Sequence, residues 1–131
     1  MKKILIAVFF IWMSNVWAES VTVSVSDKAI VSVDVSTIKR TNNKIKYWAT
    51  ISFKNPLNLK NGEAYRSIKS LEQVDCDAET KDAKYVVFYS GVNGEGDSVY
   101  SKEDAAKEEP VIPGTIGESV FTFVCNFKKK R

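Results

Sequence analysis

The sequence predicts an α+β fold that is mainly β: strands joined by short turns, then a short C-terminal helix tethered by one disulfide. Three observations carry this. Apolar and polar residues alternate from Val21 to Val35 and again from Lys44 to Lys54, the period-two signature of strands with one wet face. Thr115-Ile116-Gly117-Glu118 has capping-box spacing at the head of an apolar set, Ile116, Val120, Phe123 and Val124, that falls on one helical face. The chain has two cysteines, Cys76 and Cys125, and two cysteines in a short exported chain pair as one structural disulfide.

Export is read from the first residues. Met1-Lys2-Lys3 is a charged n-region, Ile4 to Trp12 an apolar h-region, and Val16-Trp17-Ala18 a small-residue cleavage site before Glu19. Residues 1–18 are therefore expected to be a signal peptide, and residues 19–131 a single domain with a basic C-terminal tail at 127–131. The apolar run is too short to span a bilayer, so the mature chain is expected to have no transmembrane segment. No cysteine follows the run to carry a bacterial lipid anchor. The expected location is the periplasm or cell surface of a Gram-negative bacterium.

Removing 18 of 131 residues leaves 113, the size of one domain. A disulfide from Cys76 to Cys125 closes a loop of about 50 residues, for which chain entropy gives on the order of 4 kcal/mol. Without Lys2 and Lys3, 17 of the 19 basic residues face 16 acidic ones, a net charge of +1. The charge is uneven, because Lys128-Lys129-Lys130-Arg131 is a basic run. Such a run can touch phosphate, heparin-like sugars or an anionic membrane, and its ordinary state is a solvated terminus. Export, and the lack of interleaved basic and aromatic residues, argue against nucleic acid.

The elements follow in order. Val21, Val23 and Val25 form one strand face and Ile30 or Val31, Val33 and Val35 the next, with Ser26-Asp27-Lys28 as the turn between them. From Lys44 to Lys54, Ile45, Tyr47, Ala49, Ile51 and Phe53 share a face and Trp48 points to the other; Asn55-Pro56 is expected to end this strand. Lys60-Asn61-Gly62-Glu63 reads as a tight turn with Gly at positive φ. Ala64 to Val74, Lys84 to Ser90 and Asp97 to Ser101 are further strands, and Gly91 to Gly96, with three glycines, is a flexible hairpin loop. Lys102 to Glu109 is expected to be a solvated loop. The last element is taken as a helix, with Cys125 in its final turn.

These residues resemble a known family. The run from Tyr65-Arg66-Ser67 through Val74-Asp75-Cys76 and Tyr85 to Ser90, then Pro113-Gly114-Thr115-Ile116-Gly117-Glu118 and Phe123-Val124-Cys125, is similar to the bacterial surface-adhesin protein E family from about Tyr47 to Asn126. The resemblance implies a six-stranded antiparallel sheet with a C-terminal helix tethered by the Cys76–Cys125 disulfide, and a homodimer. It implies an outer-membrane adhesin that binds host extracellular matrix proteins such as vitronectin and laminin, and also plasminogen and haemin. The chain departs from the family pattern in two places. It has no lipid-anchor cysteine, and Glu108-Glu109-Pro110 stands where a tryptophan is expected.

Histidine is absent, which removes the commonest general base and metal ligand. Asp75 and Asp77 could form a carboxylate pair, but their ordinary reading is solvated charge. Asn93-Gly94-Glu95-Gly96-Asp97 lacks the ligand series of a calcium loop and reads as a hairpin. Both cysteines are consumed by the disulfide and there is no Gly-x-Ser-x-Gly elbow, so no enzyme, cofactor or metal site is expected. Tyr85, Tyr89 and Tyr100 are the candidates for haem ligation, against an ordinary role as sheet tyrosines. Trp48 is the candidate binding surface if the helix covers the opposite face. Two function classes stand: an exported adhesin of the protein E type, and a periplasmic accessory or inhibitor domain, for instance against lysozyme, for which Ser90-Gly91 and Tyr100 are a distant echo.

Overall fold

Six strands in chain order make one antiparallel sheet: β1 (Ser20–Val25), β2 (Ala29–Thr41), β3 (Lys44–Asn58), β4 (Ala64–Asp75), β5 (Thr80–Tyr89) and β6 (Ser98–Pro110), followed by helix α1 (Ile116–Asn126). The computed structural model describes residues 19–128; the expected signal peptide (1–18) and the end of the basic tail (129–131) lie outside the described residues. No helix among the described residues is long and apolar enough to cross a membrane.

The core lies between α1 and one face of the sheet. Val31, Val33, Val35 and Ile38 of β2, Ile45, Tyr47 and Ala49 of β3, and Val74 of β4 are buried with Val120 and Val124 of the helix. Burial of such aliphatic side chains stabilises by about 1.5–3 kcal/mol each. The alternation expected in β2 and β3 is therefore observed, with Ile51 half-buried against the core and Phe53 half-buried. Val35 and Ile38 both reach the core because the β2–β3 register slips between Asp34 and Lys39. There the Thr37 hydroxyl accepts the Trp48 N–H at 2.9 Å and donates to the Asp34 carbonyl at 2.6 Å, replacing a missing ladder partner.

The helix starts as the sequence predicts. Thr115 is its N-cap, and its hydroxyl accepts the Glu118 N–H at 3.3 Å. The reciprocal half of the box is shifted by one residue: Glu118 accepts from the N–H of Gly114 at 3.5 Å rather than from Thr115. Cys76, just after β4, is bonded to Cys125 in the last turn, with 5.9 Å between their Cα atoms. Ile116, expected on the buried helical face, is 44% exposed: it borders an open cleft with Val31, Ala49 and Ile51 at the first turn of the helix.

Several boundaries differ from the sequence reading. Val21 and Val25 are exposed, since β1 is an edge strand whose alternation breaks at a bulge between Thr22 and Ser24. β3 passes through Asn55-Pro56 to Asn58, with a register slip between Ser52 and Leu57 that removes the need for a Pro56 N–H. β5 begins at Thr80, and the segment from Lys102 to Glu109, expected as a loop, belongs to β6. As the other edge strand it is held to β5 by backbone bonds and by the Thr80 hydroxyl, which donates to Glu108 at 2.7 Å, so its other charged side chains stay in water and leave no apolar period. The loop after β5 is fastened rather than free. Ser67, fully buried, donates to the Gly91 carbonyl at 2.6 Å and accepts the Gly94 N–H at 2.9 Å, while Ser52 accepts the Asn93 N–H at 3.0 Å. Gly62 takes the positive φ of +88° that its turn requires.

Candidate functional site

Register decides which side chains share the face opposite the helix. Trp48 stands across from Leu71, and Leu71 across from Tyr85, so the three form one row over β3, β4 and β5. The Trp48 and Tyr85 rings meet edge to face, centroids 6.4 Å apart at 77°, a geometry favoured by the ring quadrupoles. All three are half-buried. The next row is Lys46 across from Gln73, and the row on the other side is Thr50, Lys69 and Val87. Beyond it, the 91–97 loop closes over Ser52 and Ser67. This face therefore has an open apolar row with lysines on both sides and a loop capping one end.

The helix side offers less. Its covered half is core, and past the helix Phe53, Tyr65, Phe88 and Tyr100 touch in series at centroid distances of 6.0, 4.8 and 5.4 Å. Tyr47 is buried there and donates to Glu72 at 2.7 Å. Burial, and then the Glu72 carboxylate, raise its phenol well above the ordinary 10.0. It is a neutral structural donor.

The remaining residues singled out in the sequence do not converge. Asp75 accepts the N–H groups of Asp77 and Ala78, both at 3.0 Å, and so shapes the turn after β4 instead of pairing with Asp77. Tyr85 and Tyr89 lie on the Trp48 face four residues apart, whereas Tyr100 pairs with Phe88 on the other. They make no common ligand set for a haem. Ser90 spends its hydroxyl accepting the Asp97 N–H at 2.9 Å, closing the loop away from Tyr100. Among the described residues no group of three Cys, Asp or Glu side chains is placed to hold a metal ion. The residues that sequence reasoning missed are Leu71 and Tyr85 as companions of Trp48. The alternation in Ala64 to Val74 puts Leu71 and Lys69 on one face, yet only the strand register joins them to Trp48.

A family model described as surface-adhesin protein E matches residues 20–126. No curated protein matches the chain in sequence. Among solved structures, Haemophilus influenzae protein E matches at 15% identity and a TM-score of 0.61, covering 81% of this chain and 92% of that one. A second crystal form of it matches at 16% identity and a TM-score of 0.63, covering 82% and 96%. Protein E from non-typeable Haemophilus influenzae matches at 15% identity and a TM-score of 0.58, covering 82% and 84%. At these identities the structural matches show a shared fold.

Proposed function

Because the chain belongs to the surface-adhesin protein E family, we propose that it is an exported, non-enzymatic adhesin that captures host extracellular matrix proteins on the sheet face opposite its helix. The observation that carries this reading is the Trp48–Leu71–Tyr85 row on the uncovered face. A rigid aromatic pair with an aliphatic neighbour is the composition of a binding hot spot, since such side chains give large contact area at little entropy cost. Residues 1–18 serve as the signal peptide in this reading, and the cell surface is the destination.

Two copies would pair through β1. This edge strand carries no charged side chain, whereas the β6 edge carries Lys102, Glu103, Asp104, Lys107, Glu108 and Glu109, which oppose edge-to-edge pairing. Light scattering of the secreted protein would show a dimer.

The reading is tested on intact producing cells. Protease shaving should remove the protein while a periplasmic marker survives, and Trp48→Ala should weaken binding to immobilised matrix proteins about 30-fold, the effect of losing roughly 2 kcal/mol at a hot spot. Full protection of the protein in shaved cells would refute surface display and favour a periplasmic accessory or inhibitor role. Unchanged binding by Trp48→Ala would remove the face from the mechanism.

A further inference from the structure

At the end of the same face, around the β2–β3 turn, three lysines gather beside a single carboxylate, Asp75. Lys39 and Lys46 are direct cross-strand neighbours, and Lys44 stands one row further on, across from Thr41. Like charges directly opposite in a sheet destabilise it. All three lysines are exposed, and the one ion pair among the described residues is elsewhere, between Lys84 and Asp82 at 2.9 Å. Asp75, directly across from Lys44, has one oxygen engaged by two backbone N–H groups. The lysines line a cleft of about 580 Å³ together with Thr41, Asn42, Asn43, Gln73 and Asp75, so cations outnumber carboxylates three to one.

We propose that this cleft binds a linear sulfated polysaccharide, with Lys39, Lys44 and Lys46 on sulfates and the amides of Asn42, Asn43 and Gln73 on hydroxyls. Charge complementarity sets the sign of the ligand, and the layout sets its shape. Positions two apart on a strand lie about 6.8 Å apart and neighbouring strands about 4.8 Å, so the ammonium groups spread along a track instead of converging on one small anion. The turn at this end is Asn42-Asn43, with no apolar side chain to enter a lipid bilayer, which argues against a lipid headgroup. Trp48 lies two residues beyond Lys46 on the same face and offers a half-buried ring against which the apolar side of a sugar can lie. The inference rests on the adhesin reading for the accessibility of this face. It adds a ligand class to it, since extracellular matrix carries such chains.

The test uses the full secreted protein and size-defined heparin oligosaccharides in a calorimetric or fluorescence titration. Neutralising three sulfate contacts predicts an affinity that falls about four- to sixfold for each doubling of NaCl. The triple variant Lys39→Gln, Lys44→Gln, Lys46→Gln should lose at least tenfold in affinity and melt within about 3 °C of the parent, because the like-charge pair Lys39–Lys46 and the opposite-charge neighbours Lys44–Asp75 are removed together. A second variant, with Lys128, Lys129, Lys130 and Arg131 changed to Gln, should stay within twofold. Triple-variant affinity within twofold of the parent, loss confined to the tail variant, or equal binding of desulfated heparin would each overturn the proposal. So would tighter binding to phosphatidylglycerol vesicles than to heparin. Heparin binding abolished by the triple change in a protein that captures no matrix protein would support this inference while refuting the Trp48 reading. Matrix capture lost in Trp48→Ala with heparin binding insensitive to the lysines would do the reverse.

Discussion

Replacing both cysteines by serine isolates what the staple contributes. The Cys76–Cys125 link spans a sequence separation of 49, and loop-closure entropy for that length is about 4 kcal/mol at 25 °C. A domain of this size has an unfolding entropy of about 0.23 kcal/mol/K, so the loss corresponds to a Tm lower by about 17 °C. The native fold should survive the change. Val120 and Val124 remain buried against β2, β3 and β4 without the bond, and the Thr115 cap is untouched. The double variant Cys76→Ser, Cys125→Ser should therefore show the parent far-ultraviolet circular dichroism at 20 °C, a single cooperative urea transition, and a midpoint shifted strongly downward. A Tm within 5 °C of the parent would refute the entropic argument. Loss of helical signal before the sheet unfolds would show that the bond, and not the valine contacts, docks the helix.

Two further predictions concern buried polar groups. The raised phenol of Tyr47 keeps its proton in the fold, so its contribution is full below the unfolded value near 10 and is lost as pH rises above it, at up to about 1.4 kcal/mol per pH unit. Urea midpoints should fall between pH 10 and 11.5 in the parent, and Tyr47→Phe should flatten that fall while costing about 1 kcal/mol at pH 7 through the lost Glu72 bond; an equally steep fall in the variant would sink the assignment. Ser67→Ala removes the two bonds that Ser67 makes to the 91–97 loop, leaving those of Ser52, and should cost about 2 kcal/mol, or roughly 9 °C in Tm, together with faster amide exchange at Gly94. Parent-like exchange there would mean that the loop is held by Ser52 alone.

Legibility followed side-chain environment. β2 and β3 could be read because one face of each is buried under the helix, so Val31, Val33, Ile45 and Tyr47 repeat at period two. The helix could be read from Thr115 and Glu118, because a cap is a local device. Only the start of β6 could be read, as the strand expected from Asp97 to Ser101. Its Lys-Glu-Asp-rich continuation is joined to β5 mainly through backbone hydrogen bonds, which side-chain pattern does not encode. The face of Trp48 was legible while its row was not. Trp48 meets Tyr85 only because β3, β4 and β5 align Leu71 between them, and the β4–β5 register slips at Leu71/Glu72, a displacement with no signature in the residues around it.

The free face follows from a mismatch of dimensions. Six strands spaced about 4.8 Å apart make a sheet about 24 Å across, while an 11-residue helix is about 16 Å long and 10 Å wide. One such helix can cover only part of one side. Where it lands is decided by Cys76 after β4 and by the apolar stripe of β2 and β3, which leaves the aromatic series Phe53, Tyr65, Phe88 and Tyr100 to shield itself beyond the helix. On the other side, the short 91–97 loop is the only cover among the described residues, and it takes the end with Ser52 and Ser67. The sheet residues left for a partner are those with mixed character: Trp48, Leu71 and Tyr85 in the middle, and lysines toward the β2–β3 turn. A core-forming role would need a second layer over this face, and the described residues contain no element to supply one. The proposed adhesin reading gives this surface its use, as the place where a partner makes contact.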